Sequence, residues 1–245
     1  MHNLKSDLLE VQHLKKVYQG KAVVADLSFR VGRGEVVGLL GPNGAGKTTA
    51  FYMTMGLIRP DGGRVLFNGS EVSTLSMDKR AKIGMGYLPQ EPSVFRSLTV
   101  EQNLLAILET LPIARKERKR RLALLLKELH LETLAKKKAG YLSGGERRRL
   151  EITRALVTNP SLLLLDEPFA NIDPITIHEV KQLIGLLVKK GISVLICDHN
   201  AREIFSIVDR SYLVQEGRVL LSGTVDTLLQ SQQARLAYLG QDFKI

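Results

Sequence analysis

At 245 residues, 44% hydrophobic and 24% charged, the chain is long enough to bury a substantial core and too apolar for disorder. Its formal charge of +10 gathers in residues 115–121, 136–138 and 147–149. No aromatic residues interleave with these runs, so they read as solvated helix faces with a general pull toward anionic membrane surfaces, and no specific nucleic-acid partner is expected. No stretch reaches the roughly 18 apolar residues of a membrane span, residues 1–11 lack the apolar core of a secretory signal, and the single cysteine, Cys197, excludes an internal disulfide and suits a reducing cytosol.

From Leu8 to Val37, β-like runs over residues 9–13 and 23–31 alternate with turn residues such as Gly20 and Gly32-Arg33-Gly34, which predicts an antiparallel sheet. The apolar run 35–40 then ends in Gly41-Pro42-Asn43-Gly44-Ala45-Gly46-Lys47-Thr48, and residues 47–57 have helical character. Strand, glycine-rich loop and helix in that order fit a phosphate-binding loop. Glycines let successive backbone N–H groups turn toward phosphate oxygens, and the helix presents its positive end to the same anion. Lys47 is expected to reach the β- and γ-phosphates, Thr48 to offer its hydroxyl to Mg²⁺ and Thr49 to bond the α-phosphate.

Between about Val100 and Lys138, Leu104, Leu105, Leu108, Leu122, Leu125, Leu126 and Leu129 recur at three- and four-residue intervals, the period of a helical subdomain. Leu142-Ser143-Gly144-Gly145-Glu146 is a second small-residue turn entering a helix, a second anion site that invites a nucleotide held by a neighbouring copy. The apolar strand 162–165 ends in Asp166-Glu167, on the edge where ligands collect in an open α/β sheet. Asp166 is suited to hold Mg²⁺ through its water shell, and Glu167 to deprotonate the water that attacks the γ-phosphate. A helix over residues 175–190 closed by Gly191, a strand over 192–197 and a hairpin around Gln215-Glu216-Gly217 complete a parallel sheet with crossover helices.

The turn at residues 142–146, placed between the phosphate loop and the Asp166-Glu167 pair, resembles the signature sequence of ABC-transporter nucleotide-binding domains. That resemblance implies an α/β fold: a RecA-like P-loop NTPase core with an N-terminal antiparallel β-subdomain and an inserted helical subdomain. It implies one ATP-binding domain over residues 1–245, with the core at 1–90 and 160–245 and the helical part at 91–159. It also implies that Tyr18 stacks on adenine, Gln90 contacts Mg²⁺ and the attacking water, Asp173 communicates across a dimer and His199 senses the γ-phosphate. In a head-to-tail homodimer with ATP sandwiched between copies, Ser143 and Gly145 of one would bond the phosphate held by Lys47 of the other.

The segments 87–96, 142–150, 166–175, 198–203 and above all 238–243 are similar to the lipopolysaccharide-export ATPases of Gram-negative bacteria. The resemblance implies Mg-dependent ATP hydrolysis that powers extraction of lipopolysaccharide. It places the protein on the cytoplasmic face of the inner membrane, in contact with the membrane only through transmembrane partner subunits, and puts Phe95 and Arg96 in the groove that receives them. Where those exporters carry glycine in the dimer-communication loop, this chain has Asn171. ATPases of branched-chain amino-acid importers share much of the pattern. Soluble ABC proteins acting on DNA or ribosomes are disfavoured, because only residues 91–142 separate the glutamine from the signature, too few for a long coiled coil, and the chain carries one cassette.

Overall fold

Three strands whose residues are all buried form the middle of the parallel part of the sheet: β3 (Val36–Leu40), β7 (Leu162–Asp166) and β8 (Ser193–Cys197). Strands covered on both faces must be apolar throughout, which is why they read as continuous runs. Alternation nevertheless sorts their side chains. Leu162, Leu164, Leu195 and Cys197 face one apolar cluster with helix α1 (Lys47–Met55), whereas Leu163, Leu165, Val194 and Ile196 face a second. The computed structural model describes residues 7–170 and 172–243. Residues 1–6, at the start expected to hold no secretory signal, and Asn171 lie outside that description.

Among the described residues the sheet has ten strands, in the order β5 (Ser70–Glu71), β4 (Gly62–Phe67), β1 (Leu9–Tyr18), β2 (Lys21–Val31), β10 (Arg218–Gly223), β9 (Arg210–Gln215), β3, β8, β7 and β6 (Met85–Leu88). Strand β6 pairs parallel with β7, β7 with β8, and β8 with β3. The ends of β3, β6, β7 and β8 therefore emerge on one edge, carrying Gly41, Gln90, Glu167 and Asp198. The strands β1, β2, β4 and β5 pair antiparallel. β9 and β10 form the hairpin that joins the two parts, β10 meeting β2 through Arg218 and Asp26. Both N-terminal strands are longer than the sequence pattern predicts. β1 continues to Tyr18 through register shifts at residues 11–17, and such irregularities blur a strict two-residue period.

The segment read as a helical subdomain holds separate helices. Helix α3 (Val100–Leu108) and helix α4 (Arg115–Glu128) are separated by a loop through Pro112, which cannot donate a helical hydrogen bond. With α5 (Gly144–Leu156) they enclose a third apolar cluster built on Leu104, Leu126, Leu142 and Leu150. The basic run 147–149 is not a solvated face. Arg148 is buried, and its Nη1 donates to the equally buried Glu151 at 3.0 Å. Helix periodicity turns one residue of any three-residue run toward the core, and here a carboxylate three positions on makes that burial tolerable.

A second buried arginine has no carboxylate. Arg80, on the short helix α2 (Met77–Lys82), is fully buried, and its guanidinium donates to the carbonyls of Met53 at 2.9 Å, Thr54 at 2.5 Å, Leu75 at 2.9 Å and Ser73 at 3.1 Å. Met53 and Thr54 lie in the last turn of α1, which has no basic residue of its own. Arg80 thus supplies from another element the positive charge that a helix C-terminus favours, and burial lowers its pKa to about 10.

Candidate functional site

The loop after β3 is shaped by two close backbone approaches. Gly41 has φ 147°, and a Cβ there would sit 2.1 Å from the Val214 carbonyl oxygen; a Cβ on Gly46, at φ 94°, would sit 2.5 Å from that of Val23. Gly46 is the N-cap of α1, so the loop delivers its backbone directly into the first turn. Ala45 is buried, Pro42 and Thr49 are half-buried, and Asn43, Gly44 and Thr48 are exposed. The buried Lys47 donates from Nζ to Gly41 O at 2.7 Å and Pro42 O at 3.0 Å. Burial depresses its pKa, opposed by the nearby Cys197, Glu167 and Asp198.

Across the edge stand three carboxylates. Asp166 and Asp198 are both 1% exposed, and burial raises the pKa of each. Glu167 has φ 42°, the left-handed region that a non-glycine residue enters at a cost, and its N–H donates to Cys197 O at 2.8 Å, fixing the turn. Gln90 Nε2 donates to Glu167 Oε2 at 2.9 Å, and His199 Nδ1 lies 3.4 Å from the same oxygen. Gln90, Glu167, Asp198 and His199 line one cleft of about 280 Å³. Asp198 Oδ1 accepts from Asn200 N at 2.9 Å, while its buried Oδ2 has no hydrogen-bond partner among the described residues. Asp198 was not singled out from the sequence; an acid directly preceding His199 after an apolar strand was the available signal.

The donor set suits Mg²⁺. It consists of hard oxygen donors, and Glu167 and Asp198 both raise the Asp166 pKa through charge repulsion, which a cation relieves. Among the described residues no three His, Cys, Asp or Glu side chains form a ready-made metal cage.

Ser143 and Gly145 do not line that cleft. Ser143 is the N-cap of α5 in a capping box: its hydroxyl accepts from Glu146 N at 3.2 Å and Glu146 Oε2 accepts from Ser143 N at 2.8 Å. At Gly145 a Cβ would meet Glu179 Oε2 at 2.6 Å. Asp173 caps helix α6 (Pro174–Lys189), accepting from Ile175 N and Thr176 N, each at 3.0 Å. Tyr18 ends β1 half-exposed, with Lys16 Nζ 5.4 Å from its ring centre. Phe95 is 50% exposed, backed by the Arg154 guanidinium 4.8 Å from its ring centre, and its backbone is clamped by Asn103 through bonds of 2.8 and 3.0 Å. Arg96 beside it is exposed, its carbonyl accepting from Gly140 N at 2.9 Å.

Comparison with known proteins agrees with this geometry. Residues 24–170 match the family model described as "ABC transporter". The chain is 52% identical over 240 residues to the lipopolysaccharide export system ATP-binding protein LptB of Acidithiobacillus ferridurans, covering 98% of this chain and 100% of that one. It superposes on the ADP conformation of MJ1267, an ATP-binding cassette of an ABC transporter, with a TM-score of 0.86 at 27% identity, over 96% of this chain and 100% of that chain. A dimeric post-hydrolysis state of the cassette MJ0796 bound to ADP and Pi gives a TM-score of 0.76 at 26% identity, over 89% and 98%. An α/β fold of the P-loop NTPase type, a glycine loop opening a helix and paired acids on the facing strand end thus meet in one chain, and that chain belongs to the ABC transporter family of ATP-binding proteins.

Proposed function

We propose that the chain is the ATP-hydrolysing subunit of an ABC transporter that extracts lipopolysaccharide from the inner membrane for export. The observation that carries hydrolysis is Glu167, whose carboxylate is held by Gln90 at 2.9 Å with His199 at 3.4 Å in an open cleft beside the phosphate loop. A carboxylate fixed in direction by two neighbours can accept the proton of a water attacking the γ-phosphorus. Support for the substrate comes from the full-length likeness to LptB.

In this reading Gly41 to Thr49 hold the phosphates, Lys47 supplies the cation at the β- and γ-positions and Tyr18 stacks on adenine. Thr48, Asp166 and Gln90 hold Mg²⁺, which when bound neutralises charge on the β- and γ-phosphates. The active unit is a head-to-tail homodimer in which Ser143 and Gly145 of one copy meet the phosphates of the other and Asp173 communicates between them. The Ser143 cap is compatible with that task, since a hydroxyl that accepts from Glu146 N still has its own proton to donate. All 245 residues form one ATP-binding domain, peripheral on the cytoplasmic face and attached through transmembrane partners; among the described residues no helix is long and apolar enough to cross a membrane itself.

Phe95 and Arg96 are the proposed seat of those partners. Phe95 is half-exposed yet backed by a cation, so its ring offers a face to a partner without collapsing onto its own chain. Phe95→Ala is expected to leave the ATPase rate of the isolated subunit within about twofold while weakening the complex by about 2 kcal/mol, as loss of a hot-spot aromatic does. Co-purification from detergent-solubilised envelopes measures this, and an unaltered complex would remove Phe95 from the interface.

The function itself is tested by purifying Glu167→Gln protein from envelopes and identifying its companions by mass spectrometry. Integral subunits bearing periplasmic β-rich domains are the expected result. Amino-acid permease subunits would transfer the reading to an importer, and ribosomes or DNA to a soluble ABC protein.

A further inference from the structure

Tyr18 sits on an overhang. The ladder between β1 and β4 ends where Lys15 pairs with Gly62, and Tyr18 lies beyond that end. On its other side the strand is held by a tight turn. Tyr18 pairs with Lys21 across Gln19 and Gly20, whose φ values of 49° and 78° are the doubly left-handed conformation of a type I′ hairpin.

Past the end of the ladder, one side chain takes over as the acceptor a strand would have supplied. Asp61, in the loop joining α1 to β4, accepts from Val17 N through Oδ2 at 2.8 Å and from Lys16 Nζ through Oδ1 at 2.8 Å. Its own N–H donates to Lys15 O at 2.9 Å. Lys16 Nζ also donates to Arg59 O in the same loop, at 2.9 Å. So tethered, the ammonium lies over the Tyr18 ring, 5.4 Å from its centre. One loop thus grips Lys15, Lys16 and Val17, the residues leading into Tyr18, and sets a cation against one face of its ring.

These contacts do little for stability, because the Asp61 side chain is 45% exposed and an ion pair so open to water is weak. Their effect is on direction. A tyrosine at a loose strand end samples several backbone and χ1 states, and fixing it beforehand removes an ordering cost that a stacked ligand would otherwise bear. With Lys16 on one face, the ring offers its opposite face to a base.

We infer that Asp61 and Lys16 are positioning residues that hold the Tyr18 ring ready to stack on the adenine of the nucleotide. The inference rests on the reading of Tyr18 given above. A role confined to joining β1 to the loop after α1 would instead weaken every ligand of the phosphate loop alike.

The test compares a nucleotide with a triphosphate that has no base. Affinities for adenylyl imidodiphosphate and for inorganic tripolyphosphate, each in excess Mg²⁺, are measured by titration calorimetry for the wild type, Tyr18→Ala, Asp61→Ala, Asp61→Asn and Lys16→Met. Tyr18→Ala is expected to lose about tenfold for the nucleotide, as loss of a base-stacking ring does, and to hold tripolyphosphate within about twofold. Asp61→Ala is expected to lose about fivefold for the nucleotide and again to hold tripolyphosphate within about twofold. Asp61→Asn keeps an oxygen for Val17 N but gives up the Lys16 anchor, so it and Lys16→Met are each expected to lose about threefold for the nucleotide. If Asp61→Ala does not purify folded, those two decide. Equal losses for both ligands, or unchanged nucleotide affinity in the Asp61 and Lys16 variants with Tyr18→Ala defective, overturn the positioning assignment alone. Unchanged nucleotide affinity in Tyr18→Ala overturns the reading of Tyr18 and the inference with it.

Discussion

Glu167→Gln is expected to slow ATP hydrolysis at least about a hundredfold while leaving ATP affinity within about twofold of wild type. Glutamine is nearly isosteric, so the Gln90 contact at 2.9 Å can persist through the remaining carbonyl oxygen, and the turn anchored by the backbone bond to Cys197 O is untouched. What disappears is the basic oxygen. Phosphate release under saturating Mg-ATP and calorimetric binding of ATP measure the two halves separately. Turnover within about fivefold of wild type would remove Glu167 from the role of general base, since that role is worth 10²–10⁴-fold.

Gly41→Ala is expected to damage both the fold and nucleotide binding. The new Cβ would lie 2.1 Å from the Val214 carbonyl oxygen and 3.1 Å from its carbon, and the native φ of 147° is itself foreign to alanine. Backbone contacts of that kind cannot be relieved by a side-chain rotation. Strand β3 must pull away from β9, to which it pairs at Leu40 and Leu213 one residue earlier. A loss of about 2–4 kcal/mol of stability is expected, together with nucleotide binding weakened beyond tenfold. Gly44→Ala provides the internal comparison: its φ is 80°, but no atom lies within 4 Å of the new methyl. Only left-handed strain of about 1–2 kcal/mol should follow there. Thermal unfolding and ATP titration of the two variants measure the difference, and equal damage at both positions would show that space around Gly41 is not the determinant.

The parts of the site readable from sequence are those whose chemistry is contiguous. Eight successive residues spell the phosphate loop, and two neighbouring acids end an apolar strand, because backbone geometry alone brings those groups together. The contact of the Tyr87 hydroxyl with Asp166 was not readable, since the two residues are 79 positions apart in sequence and meet only when β6 pairs with β7. Arg80 escaped for a related reason. In sequence it is one more cation in Asp78-Lys79-Arg80, and its burial follows from α2 folding over the end of α1. The basic run 147–149 misled because composition carries no phase, and which of its arginines faces inward is set by the register of α5. Sheet order lay beyond local pattern too, since it is decided by which crossover helix covers which face.

The left-handed conformation of Glu167 has a consequence for anyone who would engineer this protein. Residues that enter that region without a glycine's freedom cost about 1–2 kcal/mol, so the position holds back stability that asparagine or glycine would release. A screen that rewards heat resistance alone is therefore drawn toward residue 167, and the survivors it selects there would be sturdier proteins with no work left in them. Selection schemes for this chain should keep turnover in the assay, because the fold and the reaction want different residues at the same place.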